Sequence, residues 1–261
     1  MKSPKKLYHF HVTNLQTIEQ AMNRIARSLR ETISKGEDAA VRSFVCLYAL
    51  LLGAWAECRL RKLIYEPQGF DNLERDKIFA IDTQFGQWQT AIEMAFRKQY
   101  KIPRAPLTQN ILPHSAFSRY KTLSEMLKDE LQPIIELRNK LAHGQWIYLL
   151  NSEGDDIAQT QMNKLRVENL LSLQFKRNLI TYLSSVIHDL VVSKPTFERD
   201  FDNHFRAIIE TKRNLLHRNY DDYVEKMRQK YQKGKDKLRK NCATKYQRNS
   251  VVTSTKNLTL T

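Results

Sequence analysis

Apolar residues recur at spacings of three and four along most of this chain, a pattern typical of α-helices that bury one face. The first such run covers residues 15–33 and follows a loose basic lead-in at residues 1–13. The second covers residues 39–65 and is apolar nearly all round between residues 45 and 55. We therefore expect this second helix to be the central, most buried one.

Four further helical stretches and their connections follow from the same reading. The helices are expected at residues 73–100, from about Phe117 to 143 with an interruption at Pro133, at 167–192, and from about Phe197 onward. The connections are a stretch with Pro103, Pro106 and Pro113, a short extended piece at 146–150, and a polar loop at 151–161. Proline inside a helical run removes a hydrogen bond and kinks the helix, so we expect a bent or separate segment after Pro133.

The pattern predicts an all-α protein, an antiparallel helical bundle of about five to six helices. Only seven glycines and seven prolines interrupt 261 residues, which disfavours a turn-rich β fold. We expect the bundle to occupy residues 1–195. Residues 196–261 are expected to form a C-terminal helix and a basic, partly disordered tail.

Charge points to a polyanionic partner. The formal net charge is +15, and residues 226–248 carry ten basic residues against Asp236 alone, or +9. Nucleic acid is the partner this balance favours; the alternative is a basic protein without a polyanionic ligand. In the tail the candidate RNA-binding residues are Lys226, Arg228, Lys230, Lys233, Lys235, Lys237, Arg239 and Lys240. Its alternatives are a solvated helical extension or a segment ordered by an acidic partner protein.

Cysteine usage and hydropathy indicate a reducing, cytoplasmic setting. Cys46, Cys58 and Cys242 lack metal-ligand spacing, so we expect no metal site and no cofactor. The basic start does not lead into an apolar signal segment. The apolar run at 45–56 is too short to span a bilayer, so no membrane association is expected.

Residues 136–144, with the sequence ELRNKLAHG, close one of the helical stretches. On an ideal helix Arg138 lies on the apolar stripe between Ile134 and Ala142, while His143 lies about 140° away. Gly144 is a natural residue to follow a helix end, which places His143 at the helix terminus. Arg138 either extends over the apolar edge or faces a pocket that needs a fixed positive charge.

The sequence Arg138-Asn139-Lys140-Leu141-Ala142-His143, late in a helical bundle, resembles the Arg-x4-His motif of the HEPN superfamily. The resemblance covers about residues 15–192 and leaves out the basic tail. Many members are metal-independent endoribonucleases of toxin–antitoxin, anti-phage and CRISPR-associated systems. In some, a tyrosine two residues after the histidine is modified by a partner nucleotidyltransferase. Gln145 occupies that position here, so this form of control is not expected.

The resemblance implies a homodimer with two motifs in one cleft, and an antitoxin or defence-system protein as a further partner. Arg138 would polarise the scissile phosphate, His143 would act as general acid or base, and Asn139 would position the histidine. The products would be a 2′,3′-cyclic phosphate and a 5′-hydroxyl. The helical angle between Arg138 and His143 agrees with a site that needs two chains. The alternatives are a helix end with a solvated arginine, and a non-catalytic module for RNA binding or dimerisation.

Other residues near the motif carry secondary expectations. Glu57 either pairs with Arg138 or lies exposed and pairs with Arg61 one turn later. Lys140 is a candidate RNA contact, and Trp146 either joins the core or walls the cleft and stacks on a base. Arg213 and His217, whose spacing is one residue short of the motif, are expected on a solvated or RNA-facing surface, with a second active element as the alternative. His9 and His11 are expected to be on the surface or disordered.

Overall fold

A computed structural model describes the backbone of residues 3–257 and the side chains of residues 3–237 and 239. Ten α-helices occupy the described chain, with one π-helical segment, Leu127–Leu131. They are α1 (Pro4–Lys35), α2 (Asp38–Ile64), α3 (Asn72–Phe79), α4 (Gln84–Gln99), α5 (His114–Met126), α6 (Gln132–Ala142), α7 (Gln159–Val167), α8 (Leu170–Val192), α9 (Lys194–His217) and α10 (Tyr220–Asn257). The all-α fold is confirmed.

Helix α1 begins at Pro4, so the expectation of a loose lead-in over residues 1–13 was wrong for residues 4–13, while residues 1 and 2 lie outside the described residues. The Ser3 hydroxyl accepts a hydrogen bond from the Lys6 backbone N–H at 3.4 Å, which caps the helix. Pro4 suits the first helical position because the missing N–H would have no partner there. Gly36 ends α1 with φ at 76° and turns the chain into α2.

Helix α2 is the central helix, as expected, and packs against α1, α6 and α8. Its side chains at Leu52, Trp55 and Ala56 are at most 1% exposed. Among the described helices α2 is long and apolar enough to cross a membrane by length and composition, and 44% of its most apolar window is buried. A buried core helix passes this criterion as readily as a membrane span does.

The stretch expected as one helix over residues 73–100 is two helices, α3 and α4. The Thr83 hydroxyl accepts from the Gly86 N–H at 3.1 Å and so starts α4 anew. The Gln87 side-chain amide donates to the Ile81 carbonyl at 2.7 Å and stabilises the connection between α3 and α4. As a result Gln84 stands in the first turn of α4, where it faces the site described below.

The interruption expected at Pro133 takes the form of a π-helical turn. Pro133 has no N–H to bond a carbonyl of the preceding turn, so the α-helical hydrogen-bond pattern is interrupted there. Residues 127–131 form wider, π-helical turns that carry α5 into α6 without a loop. The motif helix is therefore a short segment, Gln132–Ala142, attached to a continuous helical rod.

The C-terminal helices share the main core. α9 packs along α8 and buries Phe197 and Phe201, while the first part of α10 packs on α1. The turn at residue 193 thus joins two helices of the same core. The polar loop expected at residues 151–161 leads into a helix, α7, whose Met162 and Leu165 are buried. Between residues 3 and 257 the one extended contact is an antiparallel bridge joining Leu150 to Ile157.

Candidate functional site

The end of α6 has the geometry that the glycine pattern predicts. Gly144 adopts a left-handed conformation with φ at 76°. Its N–H donates to the Leu141 carbonyl at 3.1 Å, and the Gln145 N–H donates to the Lys140 carbonyl at 3.1 Å. These two bonds form a Schellman cap, which satisfies carbonyls that the helix end would leave free. His143 consequently stands at the helix terminus with its side chain exposed.

The guanidinium of Arg138 is held in place from two other helices. Its Nη2 donates to Glu57 Oε2 on α2 at 2.7 Å and to Gln84 Oε1 on α4 at 2.5 Å. The Arg138 side chain is 22% exposed. Because Nη2 carries both bonds, Nη1 is left for a ligand. Of the two readings of this arginine, the structure therefore supports the fixed charge at a cleft.

Gly53 allows this arrangement because it lets α6 approach α2 closely. A Cβ atom placed on Gly53 would lie 2.4 Å from Arg138 Cβ and 2.8 Å from Arg138 Cγ. It would also lie 3.2 Å from the Ile134 carbonyl oxygen. Atoms of side chains do not approach this closely, so a residue with a side chain would push the two helices apart. Sequence reasoning missed Gly53, although a glycine inside an apolar helix is a recognised sign of close packing.

Glu57 makes both of the pairings that the sequence left open. One carboxylate oxygen accepts from Arg138, and the other lies 3.7 Å from Arg61 Nη2. The Glu57 side chain is 37% exposed, so the pair is open to water on one side. Gln84 was not foreseen, because the break before α4 that brings it to Arg138 left no clear periodic signal.

Two clefts flank α6, and the motif is divided between them. Arg138 and Glu57 line the first, which has a volume of about 510 Å³. His143 and Lys140 line the second, which has a volume of about 770 Å³. Asn139 lines both. Arg138 and His143 of one chain thus face different clefts, in agreement with their angular separation on the helix.

The charges of the first cleft are mixed. Arg61 and Arg138 face three carboxylates there, those of Glu57, Asp82 and Glu136. The lining therefore carries a small excess of negative charge, and the two arginines are partly neutralised within the chain. An anionic ligand would find its attraction at the exposed edges of the guanidinium groups.

The two other motif residues are open to solvent. Both Asn139 and His143 are exposed, and no hydrogen bond of either side chain occurs within the described part of the chain. The backbone N–H of His143 donates to the Asn139 carbonyl at 3.2 Å. This bond fixes the position of the histidine backbone and leaves the imidazole free to meet a ligand or a second chain.

Lys140 and Trp146 are engaged inside the protein. Lys140 Nζ donates to the Leu150 carbonyl at 2.6 Å and so holds the loop that follows the motif. Trp146 packs against the core, and its indole N–H donates to the Leu141 carbonyl at 2.9 Å. The ring therefore supports the helix end and lines neither of the two clefts. Of the two positions expected for Trp146, the structure therefore shows the one in the core.

The basic face of α10 is exposed. Lys226, Lys230, Lys233 and Lys237 lie on this face, and the other exposed basic residues, Arg228, Lys235 and Arg239, lie on the opposite side of the helix. Arg228 Nε donates to the Ile33 carbonyl of α1 at 3.5 Å, and Lys235 lies over the Tyr231 ring at 4.7 Å. The side chain of Lys240 lies outside the described residues.

The remaining histidines take different positions. Arg213 and His217 are exposed on α9, as expected, and His9 is also exposed. His11 is half-buried, and its ring stacks on Tyr65 with centroids 5.0 Å apart. Burial, followed by the nearby Arg61 charge, lowers the pKa of His11. In the described part of the chain, no group of three or more His, Cys, Asp or Glu side chains is placed to hold a metal ion.

Comparison with known proteins adds no family assignment. No protein-family model, no curated protein and no solved structure matches this chain. The resemblance to the HEPN superfamily therefore rests on the Arg138–His143 motif and its place in the bundle.

Proposed function

We propose that the chain is a metal-independent endoribonuclease of the HEPN type, acting as a toxin or in anti-phage defence. The observation that supports this proposal is that α6 presents a fixed positive charge to one cleft and a free imidazole to the other. A guanidinium fixed by Glu57 and Gln84 lies in one cleft, and an unpaired imidazole stands at the helix end beside the other. A fixed positive charge and a group able to transfer protons are what phosphodiester cleavage needs.

The reaction follows from these roles. His143 takes the proton of the ribose 2′-hydroxyl, and the 2′-oxygen attacks the neighbouring phosphorus. Arg138 binds the non-bridging oxygens as negative charge grows on them. The bond from phosphorus to the 5′-oxygen breaks, and the departing oxygen receives from the His143 imidazolium the proton that it took from the 2′-hydroxyl. The products are a 2′,3′-cyclic phosphate and a 5′-hydroxyl, so no water is consumed in this step.

The site is proposed to need two copies of the chain, because Arg138 and His143 of one chain face different clefts. The loop after the motif also exposes Ile147, at 71%, and Tyr148, at 59%. Apolar side chains exposed beside a functional motif are typical of an interface. A two-fold axis near this loop would bring Arg138 of one copy toward His143 of the other.

A mixing experiment tests both the chemistry and the assembly. Arg138→Ala and His143→Ala chains are each expected to be inactive on RNA. When they are co-refolded in equal amounts, half of the dimers are mixed and hold one intact site, which restores about one quarter of wild-type activity. Activity should survive EDTA. A mixture as inactive as either variant alone, in dimers of proven mixed composition, would contradict a shared site.

Growth arrest on induced expression tests the biological role. The wild-type chain is expected to arrest growth, while the two variants, made at equal level, are not. Both variants remaining as toxic as the wild type would contradict the catalytic proposal.

The acid-rich lining of the first cleft favours a second candidate, a non-catalytic helical module that binds RNA through α10 or dimerises. In this case Glu57 and Gln84 hold Arg138 for structural reasons alone. The module would bind RNA without cleaving it, and His143→Ala would leave binding unchanged. Denaturing gel analysis of the incubated RNA separates the two candidates.

A further inference from the structure

A second arginine, Arg61, faces the cleft that holds Arg138. It lies on α2 one turn after Glu57, and both residues line the first cleft together with Arg138. Glu57 lies between the two arginines, with one carboxylate oxygen 2.7 Å from Arg138 Nη2 and the other 3.7 Å from Arg61 Nη2. Since one carboxylate contacts both guanidinium groups, their separation is of the same order as that of successive phosphates along a nucleic-acid strand.

The Arg61 side chain is held in place without using its hydrogen-bond donors. Its guanidinium carbon lies over the Phe79 ring, 5.0 Å from the ring centroid. The contact with Glu57 is longer than a hydrogen bond, and the Arg61 side chain makes no hydrogen bond to another described residue. The side chain is 31% exposed, and none of its nitrogen atoms is buried. The planar fork is therefore positioned by stacking, with its N–H groups accessible to a ligand.

The pair of arginines keeps a positive charge despite the carboxylates of the cleft. Glu57 contributes one negative charge, and the two guanidinium groups that it contacts contribute two positive charges. Asp82 and Glu136 also line the cleft. Neither carboxylate forms an ion pair with the arginines, and Glu136 accepts a hydrogen bond from the Gln132 amide at 2.8 Å. Because these two carboxylates repel phosphates, a phosphate is attracted to this cleft only where it contacts a guanidinium group.

We propose that the first cleft binds two successive phosphates of an RNA strand, the scissile phosphate at Arg138 and its neighbour at Arg61. The assignment of the scissile phosphate to Arg138 rests on the proposed function. Arg138 has Nη1 left for a ligand, whereas Arg61 offers its whole fork, which can donate two parallel hydrogen bonds to a phosphate. The substrate is therefore a strand with a charged phosphate next to the scissile one, and a dinucleotide with a single phosphodiester is a poor substrate.

A trinucleotide with two phosphates tests the second phosphate site separately from cleavage. Its sugars carry fluorine in place of the 2′-hydroxyl, so the attacking group is absent and the strand stays intact. Isothermal titration calorimetry measures its binding to the full-length protein. Two further trinucleotides have a neutral methylphosphonate in place of the first or the second phosphate. In both of these strands the remaining charged phosphate can bind at Arg138, so the loss of affinity reports on the neighbouring site.

For the wild type, neutralising one phosphate is expected to weaken binding about tenfold, because the Arg61 fork loses its charge-assisted hydrogen bonds. Arg61→Gln is expected to bind the two-phosphate strand about tenfold more weakly than the wild type does, and neutralisation should then weaken its binding by at most about twofold. Arg61→Lys keeps the charge but not the fork and should give an intermediate result. Lys121→Gln, on the exposed surface of α5, removes the same charge and should behave like the wild type.

Equal losses of affinity in the wild type and in Arg61→Gln would overturn the proposal, as would a wild type that binds all three strands alike. Cleavage of the corresponding all-ribose trinucleotide by the wild type and by Arg61→Gln is measured in parallel. Cleavage together with binding that does not depend on Arg61 would contradict the second phosphate site alone. Binding that depends on Arg61, without any cleavage, would contradict the ribonuclease alone.

Discussion

Gly53 of α2 lies directly against Arg138 of α6, so that a Cβ atom on the glycine would fall 2.4 Å from the Cβ of the arginine. The missing side chain brings the two helices into contact at the point where Arg138 turns toward Glu57. The position of Arg138 thus depends on a glycine 85 residues earlier in the chain.

Gly53→Ala is expected to destabilise the protein by about 1–3 kcal/mol, because the added methyl group forces α2 and α6 apart. The same displacement should lower any activity that depends on Arg138. Urea denaturation of the wild type and the variant measures the change in the free energy of unfolding.

Gly234→Ala is the matched control for that substitution. Gly234 lies within α10, and a Cβ atom there would meet nothing within 4 Å. Because alanine favours helix over glycine, this change is expected to be neutral or to stabilise by up to about 1 kcal/mol. Equal effects of the two substitutions would show that the contact with Arg138 is not the cause.

The ion pair between Arg138 and Glu57 is expected to be stronger than the pair between Arg61 and Glu57. The distance from Arg138 Nη2 to the Glu57 carboxylate is 2.7 Å, and the distance from Arg61 Nη2 to the same carboxylate is 3.7 Å. In double-mutant cycles with glutamine replacements, we expect a coupling of about 0.5–1 kcal/mol for the first pair and about 0.3 kcal/mol for the second. Urea denaturation supplies the free energies, and a first coupling no larger than the second would contradict the geometry.

Acid should destabilise the protein through His11. Burial lowers the pKa of this histidine from its usual value of 6.5, so the folded state binds its proton less readily than the unfolded state does. The stabilising contribution is complete above the unfolded pKa and is lost as the pH falls through the lower, folded pKa. His11→Phe keeps the stack on Tyr65 and is expected to flatten the fall in stability below about pH 6.5.

Thermal unfolding between pH 5 and 8 measures this dependence. His9→Phe, at an exposed position two residues earlier in α1, controls for the added phenyl ring. If the acid dependence of the His11→Phe variant equals that of the wild type, the burial of this ring is not its source.

The basic face of α10 is expected to contribute salt-dependent RNA binding. Lys230, Lys233 and Lys237 are exposed along it. Replacing the three with glutamine should reduce the slope of log K against log salt by about 0.7 for each phosphate of single-stranded RNA that the variant no longer neutralises. Fluorescence anisotropy with a labelled oligonucleotide gives K at each salt concentration.

The control for net charge replaces Lys77, Lys121 and Lys128 with glutamine. These lysines are exposed on other parts of the surface, so the change in total charge is the same. An equal reduction of the slope in both triple variants would contradict a specific role for α10.

Local sequence patterns were sufficient to predict most of the helices. Apolar spacing indicated the central helix at residues 39–65, found as Asp38–Ile64, and Gly144 marked the end of α6. The angle between Arg138 and His143 also followed from sequence, since it depends only on the rotation per residue of one helix. Where periodicity was weak, the prediction was wrong: the Thr83 cap that breaks the stretch before α4 and the short helix α7 were both missed.

Sequence by itself determined the all-α class, the helix that bears the motif, and the opposed directions of Arg138 and His143. Only the tertiary structure decided that Gly53 and Gln84 would meet Arg138. The reason is physical. The periodicity of a helix states which face is buried, whereas contacts between residues far apart in the chain depend on how helices pack and where they break.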